Sequence, residues 1–136
     1  LFGFPYRLTR STWEHRLVAL RIMIVDDHAE FRLHVRRMLE SDGHDVIGEA
    51  RDCVSAVDRA RVLSPDVVLL DVNLPDGSGL RIVDLLCPPG APWPAIVLTS
   101  TRAARDLEPL LRRSHARGFI PKQELSGSRL EELVGR

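Results

Sequence analysis

Four short apolar runs in this chain each close on a polar group. "IMIVDD" ends in Asp26 and Asp27, "VVLLD" in Asp71, "IVLTS" in Thr99 and Ser100, and "GFIPK" in Lys122. Three carboxylates gathered at one place repel, by about 4 kcal/mol for each pair at ~4 Å and an effective dielectric near 20. Positive charge has to sit among them. Lys122 offers one charge, and an all-oxygen cluster suits a hard divalent ion that keeps some of its waters, the habit of Mg²⁺. A phosphate arriving there meets Lys122 as an anchor, Thr99 as a hydroxyl donor, the cation as a bridge, and Asp71 as a carboxylate able to attack phosphorus.

The segments carrying these residues alternate in period. "LRIMIV" (20–25), "HDVIGEA" (44–50), "VVLLDV" (67–72), "PAIVLTS" (94–100) and "GFIPK" (118–122) read as strands. Between them run segments of helical period: "AEFRLHVRRMLES" with Phe31, Val35, Met38 and Leu39 on one face, and "CVSAVDRARVL" with Val54 and Val57 inward, then "GLRIVDLLC". The fourth helix lies in "RDLEPLLRRSHA", where Pro109 predicts a late start near Glu108 because proline is tolerated only in a first turn. "GSRLEELVGR" ends the series with Leu130, Leu133 and Val134 inward. Five strand–helix pairs predict a doubly wound α/β domain, a parallel sheet covered by helices on both faces. Ligands of such sheets bind outside the carboxyl ends of the strands, the rim that holds every polar residue named above.

Taken singly, each residue has an ordinary reading. Asp26-Asp27 is a helix cap and first-turn acid, Asp71 opens a turn into Leu74-Pro75-Asp76-Gly77, Thr99 is a β-branched strand residue, and Lys122 is a solvated loop lysine. Their conjunction on one rim, in the order a phosphoryl site needs, sets these readings aside. Asp76 and Asp106 gain nothing from it and are expected as solvated turn and helix acids.

The 136 residues carry nineteen basic and nineteen acidic side chains, so no broad positive field points to nucleic acid. No apolar run approaches the ~18 residues of a membrane span. Cys53 and Cys87 lack CxxC spacing and fit small buried side chains in a reducing, cytoplasmic setting. Residues 1–19 are expected to form a flexible extension, with Trp13, Leu17 and Leu20 at helical spacing as a marginal amphipathic turn, and residues 20–136 to form one domain.

"VDD" (25–27), "LLDVNLPDGSGL" (69–80), "VLTS" (97–100) and "GFIPK" (118–122) resemble the receiver domain of two-component response regulators, a likeness running from Leu20 to Val134. The resemblance implies a flavodoxin-like fold with strand order 2-1-3-4-5 and a phosphoacceptor, not a turnover enzyme. Asp71 would take a phosphoryl group from a sensor histidine kinase, a phosphotransfer protein or a small acyl phosphate. Asp26, Asp27, Asp71 and the backbone carbonyl of Asn73 would hold Mg²⁺, and Lys122 would pair with the phosphoryl oxygens. Thr99 and Phe119 would carry the switch to a face made by the fourth helix, fifth strand and fifth helix, open to a second copy or a heterologous partner.

"GFIPKQEL" looks most like receivers that precede a helix-turn-helix DNA-binding domain, whereas residues 123–136 suffice for one helix. The expectation is therefore a stand-alone receiver or the receiver half of a transcriptional regulator. Gln123 stands where many receivers carry proline, which removes the ground for a cis peptide there. Two rivals share parts of the pattern. A phosphatase of the haloacid-dehalogenase type places its nucleophile early and its paired acids late, the reverse of this order. A flavin or nucleotide carrier needs a phosphate-cradling loop after the first strand, where "VDDHAEF" would repel phosphate without a metal.

Overall fold

Continuous apolar strands need cover on both faces, and parallel neighbours need crossovers; the chain meets both needs with the same helices. The computed structural model describes residues 19–135. Its main sheet is parallel, in the order β2-β1-β3-β4-β5. The strands are β1 (Arg21–Val25), β2 (Asp45–Ala50), β3 (Val67–Asp71), β4 (Ala95–Ser100) and β5 (Gly118–Pro121). The helices are α1 (Ala29–Ser41), α2 (Cys53–Leu63), α3 (Val83–Leu86), α4 (Ala104–Arg112) and α5 (Gly127–Val134). This is the doubly wound fold and strand order expected from the sequence.

Alternate side chains of each strand point to opposite faces, and the core divides accordingly. Met23, Val25, Val68, Leu70, Ile96 and Leu98 meet residues of α2, α3 and α4 on one side. Ile22, Ile24, Val67, Leu69 and Val97 meet Val35 and Leu39 of α1 and Leu130 and Val134 of α5 on the other. Every residue of β3 is buried, Asp71 included, so its backbone is clamped from both faces.

Four expectations are corrected. α4 begins at Ala104, not near Glu108, and contains Pro109 in its interior. Proline there forgoes one ladder bond, a deficit of roughly 3 kcal/mol in an isolated helix; complete burial of Leu107 on the sheet opposes it. In α2 the inward residues are Cys53, Ala56 and Val57, while Val54 is exposed. The third helix is a 3₁₀ turn, Gly79–Ile82, leading into the short α3, preceded by a two-stranded hairpin of Asn73–Leu74 with Gly77–Ser78. Asp76, at the tip of that hairpin, is exposed but not merely solvated. Its carboxylate accepts from the backbone N–H groups of Cys53 at 2.8 Å and Val54 at 3.2 Å, capping α2. The expected turn on Trp13 and Leu17 lies outside the described residues.

One long-range link ties the ends of the domain together. His44 Nδ1 accepts the backbone N–H of Leu20 at 3.1 Å, so its proton resides on Nε2, which donates to Glu131 of α5 at 2.6 Å. Glu131, a residue of the fifth helix, is thereby engaged within the chain.

Candidate functional site

The carboxyl ends of β1, β3, β4 and β5 bring the polar residues together. Asp26 follows β1 directly, and its backbone N–H donates to the carbonyl of Ala50 at the end of β2. Asp71 is the last residue of β3 and pairs in register with Thr99 of β4. Lys122 follows β5. Asp26, Asp71 and Thr99 are each at most 2 % exposed, so these charges and this hydroxyl are held in the interior, not on a solvated loop.

Lys122 Nζ stands 2.6 Å from Asp26 Oδ2 and 3.1 Å from Asp71 Oδ2, bridging the two buried carboxylates. The angles favour a hydrogen bond to Asp71, while the Asp26 contact is a close ion pair that leaves its buried Oδ2 without a well-aligned donor. Electrostatics separates the two acids. Burial alone would raise the Asp26 carboxyl, but Lys122 and the donors of His28 overcome it and hold the group below its ordinary range. At Asp71 burial prevails and pushes the carboxyl up, reinforced by the charge of Asp26 and opposed by the Asn73 N–H and Lys122. Burial works against the charge of Lys122, yet its two carboxylate partners raise it above the usual lysine value.

The loop after β3 is shaped around Asp71. The Asn73 backbone N–H donates to Asp71 Oδ1 at 3.1 Å, and the Gly79 N–H donates to the carbonyl of Val72 at 2.7 Å. A Cβ on Gly79 would collide with the backbone carbonyl of Asp71, so glycine is what lets the returning loop pass beneath the acid. Phe119, three residues before Lys122, packs on the α2–α3–α4 side in the cluster that holds Leu107 and Leu111.

Three contributors escaped the sequence reading. His28 is the residue before α1, and its Nδ1 lies 2.9 Å from Asp26 Oδ1 and 3.2 Å from Asp27 Oδ1. The Phe31 ring lies 4.5 Å from Lys122 Nζ, a cation–π contact beneath the lysine. Arg32 donates to the backbone carbonyl of Asp26 at 2.7 Å and to Glu49 at 2.7 Å, bracing the end of β1 from α1. Phe31 reads from sequence as an inward residue of the first helix, and nothing local marks it or Arg32 as facing the site.

The donor set fits a divalent cation. Ligand atoms of Asp26, Asp27, His28 and Asp71 all lie within 4.8 Å of one another, a donor set and spacing that a divalent ion can bridge. No helix among the described residues is long and apolar enough to cross a membrane.

Comparison with known proteins agrees with this geometry. The family model described as the response regulator receiver domain matches residues 22–134. The chain is 42 % identical over 103 residues to the nitrate/nitrite response regulator protein NarP of Escherichia coli, covering 75 % of this chain and 47 % of that protein. It is 31 % identical over 127 residues to the transcriptional regulatory protein PdtaR of Mycobacterium tuberculosis, covering 86 % and 61 % respectively. Among solved structures, a LuxR-family two-component response regulator from Aurantimonas superposes with a TM-score of 0.75 at 28 % identity, covering 87 % of each chain. The chain spans about half the length of several of the curated relatives it matches.

Proposed function

The chain belongs to the response regulator receiver domain family of two-component systems, and on that premise we propose that Asp71 is its phosphoryl acceptor. The observation that carries the reading is Lys122 set between two buried carboxylates of unlike character, one held ionised and one pushed up. Asp71 is the carboxylate at the end of the central strand, the position most rigidly held against an incoming phosphorus.

In the proposed reaction an Asp71 oxygen attacks phosphorus of a phosphohistidine on a sensor kinase or phosphotransfer protein. The P–N bond breaks, the imidazole leaves with its electron pair, and an acyl phosphate remains on Asp71. Asp26, Asp27, Asp71 and the Asn73 carbonyl are the proposed protein ligands of Mg²⁺, which supplies charge neutralisation to the phosphoryl oxygens. Lys122 leaves its contact with the Asp71 carboxylate to pair with those oxygens, and Thr99 donates its hydroxyl to them from the neighbouring strand. Phe119, seated beside α4, then couples the shift to the α4–β5–α5 face.

The reaction is stoichiometric with the protein, so the reading is of a cytoplasmic signalling switch and not a turnover enzyme. The partner face is α4–β5–α5, taken by a second copy or a heterologous protein. The relatives named as transcriptional regulators favour a role as the receiver portion of such a regulator, with DNA contact supplied outside this chain.

The test is intact mass after incubation with Mg²⁺ and a small acyl phosphate. One phosphoryl addition is expected, lost on chelation and absent in Asp71→Asn. Modification that persists in Asp71→Asn overturns the assignment.

A further inference from the structure

His28 is the one nitrogen donor in the cluster that gathers Asp26, Asp27 and Asp71. We propose that its imidazole is a ligand of the cation site, so that the site accepts a borderline divalent ion such as Zn²⁺ or Ni²⁺ through nitrogen as well as oxygen. The inference rests on the reading of the three aspartates as a cation site and adds the donor that decides which class of ion it prefers.

The geometry points inward. The backbone N–H of His28 donates to Asp26 Oδ1 at 2.9 Å, which fixes the residue against the acid, and the ring brings Nδ1 to 2.9 Å and 3.2 Å from the two carboxylates. Ligand atoms at right angles around an ion with bonds of about 2.1 Å stand about 3 Å apart. The observed spacing therefore serves either a hydrogen bond or a shared ion without moving the ring. Asp26 supplies a second sign. Its buried Oδ2 meets the Lys122 ammonium at 2.6 Å but no well-aligned donor, so a lone pair is left for a metal ion.

The proton accounting is simple. Ligation needs Nδ1 free of its proton, and the ring, with its side chain 67 % exposed, can carry the proton on Nε2 toward solvent. Imidazole suits Zn²⁺, Ni²⁺ and other transition ions, whereas Mg²⁺ prefers oxygen throughout. Removing His28 should then cost transition ions more than Mg²⁺.

The experiment loads the untagged full chain with Mn²⁺ and records electron spin echo envelope modulation. Wild type should show ¹⁴N modulation from a directly bound nitrogen, and His28→Gln should lose it while still binding Mn²⁺. Calorimetric titration is the second readout, with His28→Gln weakening Zn²⁺ by roughly tenfold or more and Mg²⁺ by no more than about twofold. Bound Mn²⁺ without ¹⁴N modulation, or equal loss of Zn²⁺ and Mg²⁺, overturns the role of His28 alone. Failure of every divalent ion to bind overturns the cation site itself.

Discussion

Asp71 and Thr99 are register partners on adjacent parallel strands, and both are buried. A hydroxyl placed beside the acceptor in this way can respond to a phosphoryl group without any large movement of the sheet. Thr99→Val keeps the shape and removes the hydroxyl. It should still be phosphorylated on Asp71 by intact mass, but the phosphorylation-dependent change in hydrogen exchange over α4 and β5 should vanish, and Thr99→Ser should restore it. A hydroxyl acts only if it stabilises one state more than the other, so an unchanged exchange pattern in Thr99→Val would leave Thr99 as packing alone.

Lys122 rests over Phe31, and this contact sets a second prediction. A cation over an aromatic face gains ~0.5–1 kcal/mol at a partly exposed site, which corresponds to roughly two- to fivefold in a rate that depends on lysine placement. Phe31→Leu should slow phosphorylation from a small acyl phosphate by about that factor, whereas Phe31→Tyr should stay close to wild type. Equal urea midpoints for the two variants would separate the electrostatic role from simple packing, and equal rates would refute it.

The parts that sequence made legible are those set by local pattern. The unbroken apolar run of β3 could only be a doubly covered strand, and the rim of acids, hydroxyl and lysine followed from five strands running the same way. What escaped depends on contacts distant in the chain. Asp76 caps a helix 23 residues earlier, and that hydrogen bond has no local signature. Val54 reads as inward together with Val57, yet α2 turns Cys53 and Ala56 toward the sheet and leaves Val54 exposed. Pro109 reads as a helix breaker, and the burial of Leu107 opposes it. His28 resembled an ordinary loop residue until the aspartates were placed around it.

Glu49 yields a prediction for acid. Burial alone would raise its carboxyl, but Arg32 at 2.7 Å and Arg36 at 2.8 Å overcome that and hold it below the ordinary value of 4.5. The unfolded chain therefore binds the proton more readily than the native one. The stabilisation is present above the unfolded value and is lost as pH falls through the lowered native value. Urea denaturation between neutral and acid pH should show that Glu49→Gln loses stability at neutral pH and has a shallower acid limb. Parallel curves for the two proteins would show that the pair contributes nothing measurable, as exposed ion pairs often do.

Asp71 carries the opposite sign. Burial, with Asp26 close by, raises its native value above the ordinary 3.8, so the native state holds this proton more firmly than the unfolded chain does. Its contribution favours folding below the unfolded value and is lost as pH rises through the raised native value, leaving a buried charge at neutral pH that opposes folding. Asp71→Asn removes that charge and keeps the size, while Lys122 retains Asp26 as its partner. In chelator the variant should be more stable than wild type at neutral pH, on the order of 1 kcal/mol, and the gain should shrink toward acid. Added Mg²⁺ should narrow the gap by stabilising wild type more than the variant, since a ligand of the native state stabilises in proportion to its affinity. A variant less stable than wild type in chelator would mean that the Lys122–Asp71 contact outweighs the burial of the acid. The site would then be a net support of the fold, and not a strain that the rest of the domain sustains for the sake of the reaction.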